Sequence, residues 1–124
     1  MFEVSITSRF EKDDGSVAGV MQILGRTWVP QIISRLGHYG RLRYNEIRRS
    51  IGGISTASLS RSLAMLEGKG VVRREVENTT PPSVTYSLTE KGRELEKIIE
   101  NMTDLGEKWH IANGKMVEVK RPEQ

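Results

Sequence analysis

Cysteine is missing from this chain of 124 residues, which excludes disulfides, cysteine-based structural zinc and a cysteine nucleophile. Histidine is scarce. The two that occur, His38 and His110, stand far apart and beside no acid cluster, so no metal-ligand set is expected; His38, between Gly37 and Tyr39, reads as a loop residue at the surface or in a cap. No apolar run approaches the roughly 20 residues that span a bilayer. The opening Met1-Phe2-Glu3-Val4 has no basic stretch leading into an apolar one, so no membrane partner is expected and the location reads as cytoplasmic. The polar residues form no catalytic constellation. There is no histidine within a serine or acid motif and no glycine-rich phosphate loop opening a helix after a strand, so neither an enzyme nor a cofactor is expected. No internal repeat or low-complexity linker divides the chain, and its length suits one domain, 1–124, with a core that needs no staples.

What the chain does have is cationic charge in one place. Net charge is only +3, yet residues 26–75 hold ten Lys/Arg against three Asp/Glu; that surplus of seven leaves the remainder at −4. A cationic middle between acidic ends suits a surface that faces phosphates.

The same stretch carries a legible local pattern. Tyr44, Ile47 and Ile51 are spaced for one apolar stripe on a short helix over 45–51, leaving Arg48 and Arg49 on other faces. Gly52-Gly53 breaks it, because paired glycines permit the positive φ angles of a sharp reversal. Ser55 is placed to cap a second helix, whose Leu59, Leu63 and Leu66 make a buried stripe, while Ala57, Ser58, Arg61 and Met65 fall opposite. Thr56, Ala57, Ser58 and Arg61 suit a major groove: small groups allow close approach, and hydroxyls or a bidentate Arg address base edges and phosphates. Gly68 and Gly70 end that helix. Val72, Arg74 and Val76 then alternate with Val71, Arg73 and Glu75, and Val84, Tyr86 and Leu88 with Thr85 and Ser87. Pro81-Pro82 belongs in the turn between these strands. The result is a hairpin with a protruding tip, a wing.

The flanks read as support. A first helix starting after Ser16 presents Val17, Val20, Met21 and Leu24; Thr27 caps a second helix that buries Trp28, Ile32, Ile33 and Leu36, with Pro30 harmless in its first turn. Thr89 caps a long last helix with Leu95, Ile98, Ile99, Met102, Leu105 and Trp109 at near-heptad spacing. One domain cannot easily cover so long a stripe. Its far end, Met102, Leu105 and Trp109, is expected to meet a second copy. Phe2, Val4 and Ile6 alternate with polar residues, 116–120 is strand-like, and the two are expected to pair near that interface. Asp13-Asp14-Gly15 reads as a turn.

Several separated pieces resemble the HxlR-type winged helix-turn-helix transcriptional regulators of bacteria and archaea. They are Leu24-Gly25-Arg26-Thr27-Trp28, Arg43-Tyr44-Asn45-Glu46-Ile47, Gly53-Ile54-Ser55, Leu63 through Val72, and Pro81 through Thr89 with Lys91-Gly92. The resemblance runs from about Val17 to Trp109. It implies a homodimer on a two-fold symmetric operator, with DNA contacts from Ser55 to Ser58 and Arg61 and wing contacts at Asn78, Thr79 and Thr80. Several members of the family sense oxidants through a cysteine near the first helix. Here that thiol chemistry is excluded.

The expected fold is therefore mainly α with a small β-hairpin, a winged helix-turn-helix dimerising through its N- and C-terminal helices. Its parts are an arm (1–15), a DNA-binding core (16–89), a dimerisation helix (90–112) and a tail (113–124). The expected DNA set is Arg48, Arg49, Ser55, Thr56, Ala57, Ser58, Arg61, Arg73, Arg74, Asn78, Thr79 and Thr80. The expected dimer set is Val17, Met21, Leu95, Ile99, Met102, Leu105 and Trp109. Double-stranded DNA and a second copy are the expected partners, with a place for a small-molecule effector between the first helix, the last helix and the core of the dimer. The competing reading is a winged-helix module for protein or RNA contact without operator specificity. It does not need the arginines at 48, 49, 61, 73 and 74.

Overall fold

The computed structural model describes residues 15–112 and 115–116. In chain order these form α1 (15–24), α2 (Val29–Tyr39), β1 (Arg41–Arg43), α3 (Tyr44–Ile51), α4 (Thr56–Gly68), β2 (Val72–Glu77), β3 (Ser83–Leu88), α5 (Glu90–Lys108), and the strands β4 (Ile111–Ala112) and β5 (Lys115–Met116). Helix α2 is the centre. Val29, Ile32, Ile33 and Leu36 are all fully buried, and the helix packs against α3, β3 and α5. Pro30 lies in its first turn, as expected.

The entry to α2 differs from expectation. Thr27 does not cap it; Trp28 takes the N-cap position with φ 76° and no side-chain cap hydrogen bond. A left-handed backbone at a bulky residue costs about 1–3 kcal/mol. Burial offsets it: the reversal within four residues of α1 turns the indole onto the core, where its edge lies 3.9 Å from the Cβ position of Gly53. His38 lies in the last turn of α2 rather than in a loop, exposed and edge-on to Tyr39 at 4.6 Å. The helix continues to Tyr39 because Leu36 is still core and Gly40 closes the turn on its carbonyl.

The helix-turn-helix is built as read. Helix α3 starts one residue earlier than expected, with the Glu46 carboxylate accepting the Arg43 N–H at 2.7 Å. Gly52 and Gly53 have φ of 72° and 81°. The Ser55 hydroxyl accepts the Ser58 N–H at 3.1 Å, and Leu59, Leu63 and Leu66 are buried. Replacing Ser55 by alanine is expected to cost about 0.5–2 kcal/mol, read as a lower urea midpoint. Met65 does not stand outward. It is half-buried against the core edge, where a flexible thioether fills irregular space.

The sheet has one strand more than the expected hairpin. Its order is β1-β3-β2, all antiparallel, with Leu42 opposite Tyr86 on one side of β3 and Val72 opposite Leu88 on the other. Three residues with a single apolar one are too short to show alternation, so β1 left no periodic signal. The expected alternation of Val71 with Val72 also fails, since both are buried. Val71 precedes the strand and lies under the start of α5, where its carbonyl accepts the Thr89 N–H at 3.1 Å. Further along, β2 leaves the core and Val76 is exposed.

The flanking helices also differ from expectation. Gly15 and Ser16 are already helical, and α1 buries Ile23 and Leu24 while Val17, Val20 and Met21 stay exposed. Thr89 caps α5 as expected, accepting the Gly92 N–H at 3.1 Å. The helix ends at Lys108 rather than 112, and Met116 pairs with Ile111 in the following hairpin. The expected partner strand at Phe2–Ile6, the turn at Asp13-Asp14 and most of 113–124 lie outside the described residues.

Candidate nucleic-acid interface

A recognition helix is useful only if its first turn is held still. The Tyr44 hydroxyl does this from α3, donating to the Thr56 carbonyl at 3.0 Å and meeting the Ser60 hydroxyl at 2.9 Å. Below, the Arg35 Nε donates to the Ser50 carbonyl at 3.3 Å and ties α2 to the end of α3. With the Ser55 cap and the leucine stripe, these contacts fix α4 on the core and leave Thr56, Ala57 and Arg61 exposed and Ser58 half-buried.

The other expected DNA residues occupy three places. Arg48 and Arg49 are exposed in the last turn of α3. Asn78, Thr79 and Thr80 are exposed at the wing tip, where the Thr79 hydroxyl donates to the Pro81 carbonyl at 2.7 Å. Arg73 and Arg74 are exposed in β2, but as successive strand residues they point to opposite faces. Only one of them can share a face with any given ligand.

Two crevices gather residues the sequence did not. One lies between the start of α3 and the wing and is lined by Arg43, Asn45, Glu77, Thr79, Thr80 and Ser83, so the wing tip and α3 present a joint surface. The other lies between the α1–α2 turn and α4 and is lined by Arg26, Thr27, Ser58, Arg61 and Ser62. Arg26 and Arg43 contribute to the charge surplus, but nothing local marks them as site residues. Other cations of the surplus are used within the chain: Arg41 pairs with Glu75 at 3.0 Å across the sheet, and Arg35 is half-buried on Ser50. Among the described residues no group of His, Asp and Glu is placed to hold a metal ion, and no helix is long and apolar enough to cross a membrane.

A capped helix with small outward groups, a glycine turn behind it and a cationic hairpin beside it define a winged helix-turn-helix of the DNA-binding type. The sequence profile of the HxlR-like helix-turn-helix family matches residues 23–113. The chain belongs to that family, whose curated relatives are transcriptional regulators. It is 41% identical over 93 residues to the uncharacterised HTH-type transcriptional regulator YdeP of Bacillus subtilis strain 168, covering 75% of this chain and 72% of YdeP. It is 34% identical over 109 residues to YvaP of the same strain, covering 88% and 94%. Among solved structures it is similar to the redox regulator HypR in its reduced form, with a TM-score of 0.72 and 37% identity over 77% of this chain and 93% of that one. With no cysteine, this chain has no thiol for a redox switch of its own.

Proposed function

We propose that this protein regulates transcription as a cytoplasmic homodimer on a two-fold symmetric operator, with no catalytic step. Each protomer places α4 in a major groove, the two grooves lying about 34 Å apart on one DNA face. Ser55 to Ser58 enter the groove with Arg61 at its flank, while Arg48, Arg49, the wing tip Asn78 to Thr80 and one of Arg73 and Arg74 hold the backbone. The observation that carries this reading is the fixed first turn of α4. Its cap, its tyrosine tie and its small outward groups are what groove entry requires, and a module for protein or RNA contact does not need them beside arginines that have no ion pair among the described residues.

The dimer reading is supported by apolar surface. Val17, Val20 and Met21 of α1 and Ile98, Met102, Leu105 and Trp109 of α5 are exposed, whereas Leu95 and Ile99, also expected at the interface, are buried in the chain's own core. A groove lined by Val20, Ile23, Leu95 and Ile98 runs between the two helices. A small-molecule effector bound there would shift the helices that set half-site spacing.

The test is a mobility shift with the DNA flanking the protein's own gene, against random duplex competitor at stated salt. Competitor-resistant binding with two protomers per duplex is expected. Binding no better than to random duplex would favour an interaction module without operator specificity.

A further inference from the structure

We propose that Arg26, in the turn between α1 and α2, is a DNA-backbone contact that works with Arg61 as a two-armed clamp on one strand beside the recognition helix. This rests on the reading of the chain as a DNA-binding regulator, and adds to it a residue outside both the helix-turn-helix and the wing.

Placement comes first. Arg26 and Arg61 belong to elements far apart in sequence, yet they line the same crevice, together with the hydroxyl-bearing Thr27, Ser58 and Ser62. No carboxylate lines it. Arg61 leaves α4 on the outward side near Ala57 and Ala64, but it borders the α1–α2 turn. A guanidinium there suits the flank of the groove, where the phosphates run, better than the groove floor, where a base edge must be met in plane.

Charge comes second. Arg41 has its carboxylate in Glu75, but among the described residues neither Arg26 nor Arg61 has an ion pair. Among the described residues the one side-chain hydrogen bond of Arg26 runs from Nε to the Gln22 carbonyl at 3.2 Å, which steadies the guanidinium on the end of α1 and engages none of its terminal nitrogens. Two unpaired cations on one crevice repel each other in the free protein. An anion between them reverses the sign of that interaction, and neighbouring hydroxyls supply further donors to phosphate oxygens.

Stiffness comes third. The turn is set by the Gly25 N–H on the Met21 carbonyl at 2.7 Å, by the left-handed Trp28 and by Pro30. Trp28 packs toward Gly53 of the helix-turn-helix turn. Arg26 is thereby held in register with α4, and a clamp needs both arms on one frame.

Backbone contacts are independent of base sequence, so the test needs no operator. The probe is a random-sequence duplex of about 30 base pairs, titrated by fluorescence anisotropy over a series of salt concentrations. Arg26→Ala and Arg61→Ala are each expected to weaken binding and to flatten the plot of log K against log salt by about 0.9 per protomer bound. Arg26→Lys is expected to keep most of the slope, and Arg93→Ala, on the exposed side of α5, to leave it unchanged. A parental slope and affinity in Arg26→Ala would overturn the clamp while leaving DNA binding intact. An Arg61→Ala variant with unchanged slope and affinity would overturn it too, by removing the second arm. Failure of the parent protein to bind any duplex would instead remove the DNA-binding reading, and the clamp with it.

Discussion

Met102→Asp combined with Leu105→Asp is expected to give a folded monomer that binds an operator duplex about 10²–10⁴-fold more weakly than the parent protein. Met102, Leu105 and Trp109 are 48%, 42% and 49% exposed in the isolated chain, far more than a core stripe would be. Helix α5 is 19 residues long, and only Leu95 and Ile99 of its stripe reach the core. The rest is apolar and exposed, as are Val17, Val20 and Met21 of α1, and Val20 and Ile98 border one groove between the two helices. Fully burying each such side chain is worth about 1.5–3 kcal/mol. A carboxylate in the same place must be desolvated instead, at several kcal/mol per ion. The fold of each protomer is expected to survive, because both side chains stand outside its core. DNA affinity falls because a monomer loses the second, intramolecular contact, which a linked half meets at an effective concentration on the order of millimolar. Sedimentation and anisotropy on the same samples separate the steps. A variant that stays dimeric would rule out this face as the interface, and a monomer that binds as tightly as the parent would rule out a two-half-site operator.

The difference between what could be read from the sequence and what could not follows the range of the interactions. The α3–turn–α4 unit was legible because its signals are local: Leu59, Leu63 and Leu66 within one helix, Gly52-Gly53 as the break, and Ser55 as the cap. Strand β1 was not, since three residues carry no period and exist as a strand only because β3 lies beside them. Thr27 looked like a cap on composition alone; the burial of Trp28, a tertiary effect, moved the helix start past it. The same holds for α5, whose apolar spacing is uniform in sequence. The elements packed against it, α2 above all, decide that Leu95 and Ile99 are core and that Ile98 and Leu105 are not. For the site, the sequence located the charge but could not sort it. Whether an arginine is spent on Glu75, tied to Ser50 or left beside Arg61 with no ion pair among the described residues depends on what folds against it.

A single methyl group separates the parent protein from the second large effect, Gly92→Ala, which is expected to lower stability by about 2–3 kcal/mol. Gly92 is buried in the first turn of α5, and a Cβ there would overlap the Val71 carbonyl oxygen and crowd the Leu88 side chain. Overfilling a packed site costs about 1–3 kcal/mol when side chains can shift. The upper end applies here because the obstacle is backbone, and that carbonyl also accepts the Thr89 N–H at 3.1 Å. Relief therefore means lifting the start of α5 off the sheet and straining its own cap. At fixed protein concentration the thermal midpoint should fall by roughly 10 °C. The same substitution at Gly68, which closes α4 with nothing near its Cβ position, should instead add about 0.5 kcal/mol by restricting the unfolded chain. The opposite signs make the comparison informative: a neutral Gly92→Ala would mean that α5 meets the sheet loosely, and that its direction, which also aims its exposed apolar residues, is not set by this contact.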